Sequence, residues 1–200
     1  MTGIEPDQEL RVLKMSVKFP EFSLNRVKLR KVRPGDIDAV YAGLSDPRVV
    51  AHYGVSYASL EATEEQMKWF EHIVTQETGI WWAIALHEND SMIGACGLND
   101  WCIQHRRAHI GYWLMPDYWR QGFLTEALPS ILQYGLQDMG LHRIHADVEP
   151  DNTASCGLLK KFGFQLEGTL RDVEFKAGKF ISLHQYGLLS SDVSVSGLVR

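Results

Sequence analysis

The sequence predicts an α/β domain built on a mixed, mostly antiparallel sheet of about seven strands with flanking helices. Three observations carry that expectation. Apolar residues recur at a two-residue or a 3.6-residue period, in the order strand, helix, helix, three strands, helix, strand, helix, two strands. Within this order, strand Ala108–Met115, a helix of about 18 residues and strand His142–Val148 form a βαβ unit, whose strands must run parallel with a right-handed crossover. The other strands succeed one another through short turns, as antiparallel neighbours do.

Residues 1–22 show little pattern and read as an N-terminal extension, residues 23–190 as one domain, and residues 191–200 as a loose tail. Val27–Arg33 alternates as the first strand. Pro34-Gly35-Asp36 opens a helix, since proline suits the first turn and aspartate its dipole, and Ile37, Val40, Tyr41 and Leu44 form its stripe. Thr63 and Gln66 have capping-box spacing ahead of a second stripe, Met67, Phe70 and Val74. Strands Trp81–Glu88 and Met92–Leu98 flank the turn residues Asn89-Asp90-Ser91. The long helix carries Leu124, Ala127, Leu128, Ile131, Leu132, Leu136 and Met139 on one face and ends at Gly140. Pro129 lies inside it, removes one hydrogen bond to the Thr125 carbonyl, and predicts a kink after the first turn. A short helix, 152–161, and strands Phe164–Val173 and Phe180–Leu189, turning at Ala177-Gly178, complete the order.

Composition narrows the functional classes. The net charge is −5 and the densest basic stretch, Arg26–Arg33, alternates with Val27, Leu29 and Val32, so it is a strand with a solvated side and not a nucleic-acid surface. A mildly acidic surface favours a cationic acceptor. No run reaches the ~20 apolar residues of a membrane helix, and Glu5, Asp7 and Glu9 are unlike a secretory signal. Cys96, Cys102 and Cys156 fit no zinc or redox spacing and read as free thiols in a reducing cytoplasm. The eight histidines form no metal-ligand spacing, so no metal is expected.

The most informative segment is Trp119-Arg120-Gln121-Gly122-Phe123-Leu124-Thr125-Glu126-Ala127, between a strand and the long helix. The first N–H groups of a helix have no intrahelical partner, and its dipole favours an anion beside them. A diphosphate fits such a place, and Gly122 lets the main chain approach it without a Cβ.

This segment resembles the phosphate loop of the GNAT acyl-CoA N-acyltransferase superfamily, in particular the RimJ/RimL branch, which often reads W-G-K-G-Y-A-T-E-A. Trp119, Gly122, Thr125, Glu126 and Ala127 match; Arg120 stands where glycine is common and Leu124 where Gly or Ala is, so an altered loop is expected. The resemblance continues through Asp147–Ser155, with its N-x-x-S helix start, and Lys160–Phe164, and spans roughly residues 25–190. It implies a twisted sheet splayed at the central parallel strand pair, with acetyl-CoA as cosubstrate.

The resemblance also implies roles. CoA would lie against Trp113, Leu114 and Met115 and the loop residues Trp119, Arg120, Gln121, Gly122, Phe123, Leu124 and Thr125. Asn152, also an N-cap by its position, would bond the pantetheine arm, and Lys161 or Arg120 the 3′-phosphate. Ser155 would protonate the leaving thiolate, and the Leu114 amide would bond the acyl oxygen where charge develops. Glu174, nineteen residues after the serine, matches the base position of RimL-like enzymes; Glu126 and Asp100 are lesser candidates, and Trp101 could line the acceptor cleft. An α-amine of pKa about 7.7–8.0 needs only weak base help, a lysine amine far more. The expected activity is therefore direct acetyl transfer to a primary amine, foremost a protein N-terminus, by a monomer or homodimer. A small-amine acceptor (polyamine, antibiotic or amino acid) and a silent acyl-CoA-binding module are the alternatives.

Overall fold

A computed structural model describes residues 19–192. The extension read over 1–22 falls outside it up to residue 18, and the tail from residue 193 onward. In chain order the elements are β1 (Phe22–Ser23), β2 (Val27–Lys31), α1 (Ile37–Ser45), α2 (Pro47–Val50), α3 (Leu60–Thr75), β3 (Ile80–Leu86), β4 (Met92–Cys102), β5 (Arg107–Leu114), α4 (Phe123–Gln133), β6 (Arg143–Val148), α5 (Thr153–Lys161), β7 (Gln165–Lys176) and β8 (Lys179–Leu189). They form one eight-stranded sheet in the order β1-β2-β3-β4-β5-β6-β8-β7. Only β5 and β6 run parallel; the other neighbours are antiparallel. The strand beyond the expected seven is β1, whose two residues are too short to alternate. Phe19 and Phe22 lie 5.8 and 5.9 Å from the Trp82 ring, so contact with the core begins ahead of residue 23.

Each sheet face has its own core. On one, α4 and α5 lay Phe123, Ala127, Leu128, Ile131 and Leu159 over Leu29, Trp82, Ile84, Ile110 and Ile144. On the other, Val40, Leu44, Phe70 and Ile73 of α1 and α3 cover Trp81, Ala83, Ala95 and Trp113. Gly97 and Gly111 are where the Trp81 ring needs room: a Cβ on either would meet it within 2.3 or 2.6 Å. Burying an indole here removes a large apolar area from water, which a methyl group at either glycine would prevent.

One local expectation is corrected. The start of α3 is capped by Ser59, whose Oγ accepts the Ala62 N–H at 3.1 Å, and not by Thr63. Thr63 and Gln66 are buried within the helix; Gln66 accepts from the Tyr57 hydroxyl at 3.1 Å, which is why a polar residue is tolerated there. The long helix runs through Pro129 and departs from α geometry afterwards, in a π-helical turn at Tyr134–Asp138. That turn frees the Gly135 carbonyl for the Leu141 N–H at 2.9 Å, feeding the chain into β6. Among the described residues no helix is long and apolar enough to cross a membrane.

Candidate active site

The turn into α4 is shaped by two residues in the left-handed region, Arg120 at φ 59° and Gly122 at φ 80°. The first explains why glycine suits position 120: an L-residue there carries strain, which Arg120 tolerates. A left-handed Gly122 followed by helical Phe123 curls successive N–H groups into a concavity suited to an anion. Glu126 N–H is the first to bond within the helix, to the Gly122 carbonyl at 3.0 Å, leaving the N–H groups of residues 123–125 facing outward. Leu124 turns its side chain into the main core and does not narrow this mouth. The Trp119 indole donates to the Leu114 carbonyl at 2.6 Å and fastens the turn to the end of β5.

Beside this turn the sheet opens. β5 and β6 are in register only from Arg107–His109 against Arg143–His145. Beyond that the strands part, as expected of the central parallel pair. The Met115 N–H bonds to Ile93 on β4 at 2.9 Å. Main-chain groups alternate sides along a strand, so the Leu114 N–H and carbonyl point away from β4, into the gap. The carbonyl is taken by Trp119; no residue of β6 is in register with the N–H. The Trp113 side chain is buried under α1, where a Cβ on Gly43 would strike its ring, so only its main chain can face a ligand.

On the α5 side of the gap, Asn152 caps the helix by accepting the Ser155 N–H at 3.1 Å, which leaves its amide NH₂ available. The Ser155 Oγ lies 2.7 Å from the Tyr112 hydroxyl. Burial pushes the Tyr112 phenol up to about 12, so it stays protonated at any ordinary pH and can donate to Ser155. Nothing in the spacing of residues 112 and 155 signals the pair.

On the opposite face, beyond the cover of α1 and α3, His109, His145, Asp147 and Gln185 lie side by side, because directly paired residues share a face. The two imidazoles meet edge to face at 5.1 Å. Burial lowers both below the ordinary histidine range, assisted at His145 by the neighbouring His109; Asp147 opposes the shift at each ring. His109 Nε2 accepts the Asp147 backbone N–H at 3.2 Å, which places the ring proton on Nδ1. Further along, the Lys176 ammonium donates to Glu149 and to the Ala51 carbonyl, both at 2.6 Å, and His52 lies 3.3 Å from Glu149. Lys176 thus ties the tip of the β7–β8 hairpin to the end of α2. His52, Glu149 and Asp151 come within 4.8 Å of one another, a grouping invisible to ligand spacing, with the Lys176 ammonium already on Glu149.

Glu174 is exposed and pairs across with Ile181 on this same face. Val148, the last residue of β6, is opposite His184, so Glu174 stands roughly 10 Å beyond the end of β6. Of the lesser base candidates, Glu126 is engaged by Arg26, and Asp100 accepts from the Asn99 amide at 2.7 Å. Burial alone would raise the Glu126 carboxyl; the Arg26 amide and guanidinium outweigh it and hold the group below its usual range. Trp101 packs against the main core on the α4 side rather than on the open face, where Trp81 covers Gly111 instead. Lys161 is exposed at the end of α5.

A parallel strand pair parting beside a helix start with outward amides is the arrangement that the GNAT resemblance implies. The particular family follows from comparison: the model described as Acetyltransferase (GNAT) domain matches residues 26–165, and the chain belongs to this family. It is 34% identical to the uncharacterized N-acetyltransferase YoaA of Bacillus subtilis (strain 168) over 86% of this chain and 97% of that protein. Among solved structures it superposes on RimL, the ribosomal L7/L12 alpha-N-protein acetyltransferase in complex with coenzyme A. The TM-score is 0.77 at 19% identity, covering 85% of this chain and 98% of RimL. It also superposes on the spermidine N-acetyltransferase of Vibrio cholerae in complex with CoA and spermine, with TM-score 0.75 at 20% identity over 84% and 97%. The chain is an N-acetyltransferase, and acetyl-CoA is the cosubstrate of its family.

Proposed function

We propose that the protein transfers acetyl from acetyl-CoA to a protein N-terminal α-amine, by direct attack of the amine on the thioester. The observation that carries this reading is the gap between β5 and β6, which has hydroxyls on one face and acidic and imidazole groups on the other. The diphosphate lies on the amides at Gly122–Thr125 and the pantetheine arm enters the gap past the Asn152 NH₂. The acyl oxygen takes the Leu114 N–H, whose side of β5 has no strand partner in register. Ser155, itself receiving the Tyr112 hydroxyl, donates to the departing sulfur. A thiol of pKa near 8.5 needs only this modest assistance.

The amine approaches from the other face, along His109, Asp147 and Glu174, the last accepting its proton directly or through a water. Attack and departure then occur on opposite sides of the sheet, which requires no covalent enzyme intermediate and lets positioning supply much of the rate. An α-amine is favoured over a lysine amine because a far larger share of it is already neutral near pH 7, so it needs less help from a base. A reducing cytoplasm suits the free thiols Cys96, Cys102 and Cys156.

The test is thiol release from acetyl-CoA with a library of peptides, polyamines, antibiotics and amino acids. Peptides with free N-termini should give the highest kcat/KM. Preference for a polyamine or a drug would overturn the acceptor assignment and leave the chemistry standing. Ser155→Ala and Glu174→Gln should each lower kcat more than coenzyme A affinity; full turnover in both would overturn the residue roles.

A further inference from the structure

We propose that Arg26, at the entry of β2 and far from the phosphate turn in sequence, is a diphosphate-binding residue of this enzyme. The inference rests on reading the turn at Gly122 as the diphosphate site. One guanidinium spans that turn. Its Nε donates to Glu126 Oε2 at 2.8 Å and its Nη1 to the Gln121 carbonyl at 2.9 Å, while the Arg26 backbone N–H donates to Glu126 Oε1 at 2.6 Å. The guanidinium carbon stands 4.2 Å over the Phe123 ring. Residues on both sides of Gly122 are thereby fixed to one planar group.

Two features go beyond a tie between strand and helix. The remaining nitrogen, Nη2, makes no hydrogen bond among the described residues, and beyond the adjoining residues it is what a Cβ on Gly122 would meet, at 3.6 Å. It therefore offers two N–H groups at the mouth into which the amides of residues 123–125 point. The side chain is 42% exposed, so a ligand can reach it. Second, Glu126 places a carboxylate in the first turn of the very helix whose start should receive an anion. Unpaired, it would repel a diphosphate; Arg26 cancels that charge while presenting its free edge. The planar fork suits a bridging pair of phosphates better than a lysine ammonium would.

The experiment compares acetyl-CoA with S-acetylpantetheine, a thioester lacking the diphosphate and the nucleotide, on wild type, Arg26→Gln, Arg26→Lys and Glu126→Gln. Coenzyme A affinity is read in parallel by calorimetry. Wild type should prefer acetyl-CoA strongly. Arg26→Gln should weaken coenzyme A binding about 10- to 100-fold and reduce the kcat/KM ratio of the two thioesters by a like factor, the loss of a charged hydrogen-bond donor. Arg26→Lys should fall between the two, and Glu126→Gln should bind coenzyme A at least as tightly as wild type. If Arg26→Gln does not fold, as judged by its thermal transition, the lysine variant carries the test. Equal loss with both thioesters, or no change in the ratio, would overturn the role of Arg26. A wild type that ignores coenzyme A altogether would instead overturn the reading of the turn itself.

Discussion

The surface we assign to the thioester comes from consecutive residues, Trp119 to Ala127, through main-chain N–H groups at one helix start. The open face beyond β5 is assembled differently: it takes single groups from the end of α2 and from β5, β6, β7 and β8, among them the Ala51 carbonyl, His109, Asp147, Glu174 and Gln185. A surface made of backbone tolerates side-chain change, such as Arg120 and Leu124 bring relative to the family pattern. A surface made of distant side chains can change acceptor with a few substitutions and no change of fold. That contrast fits structural neighbours that include both a ribosomal-protein acetyltransferase and a spermidine acetyltransferase.

The contrast can be broken most sharply at Gly122. Gly122→Val puts a β-branched residue at φ 80°; the free turn then relaxes away from that conformation, which costs about 5- to 30-fold in coenzyme A affinity. The isopropyl group then stands where the diphosphate approaches, so the measured loss by calorimetry should exceed that range, while KM for the amine changes little. A variant that still binds coenzyme A like wild type would remove the distinction between the halves.

A smaller effect is expected at Tyr112, which lies between them. Tyr112→Phe removes the hydroxyl 2.7 Å from Ser155 and should lower kcat about 3- to 10-fold, the worth of one hydrogen bond, with coenzyme A affinity held within about twofold. Since the phenol is pushed up to about 12, it is protonated throughout the assay range, and wild-type kcat should show no loss from its ionisation between pH 7 and pH 10. A variant with wild-type kcat would detach Tyr112 from the chemistry.

The smallest effect should come from Lys176, whose ammonium joins the hairpin tip to Ala51 and Glu149. Lys176→Met should raise KM for the amine about two- to fivefold and leave the thermal midpoint nearly unmoved, since a part-exposed ion pair contributes at most about 1 kcal/mol. An effect on coenzyme A affinity larger than that on the amine would mean that the hairpin serves the thioester half.

Most of the fold was legible because it is written in local periodicity. The βαβ unit, the hairpin turn at Asn89–Ser91 and the Asn152 cap all depend on residues close in sequence. The errors have the same origin. Thr63 and Gln66 have the spacing of a capping box, and only the cap at Ser59 and the buried Tyr57–Gln66 hydrogen bond show that they belong inside the helix. The turn at Gly122 could be read from its glycine and its family pattern, whereas the partners Arg26–Glu126 and Tyr112–Ser155 are 100 and 43 residues apart and leave no signal in spacing.

By itself the sequence determined the element order, the parallel crossover, the turn at Gly122 and the membership that its ordered motifs imply, because each is a property of short stretches of chain. Only the tertiary structure decided which hydroxyl stands behind Ser155, which cation spans the turn at Gly122, and that Trp81 rather than Trp101 lies on the same sheet face as His109. Those outcomes depend on where the sheet stops pairing and which face a side chain takes, and they follow from packing across strands that no local pattern encodes.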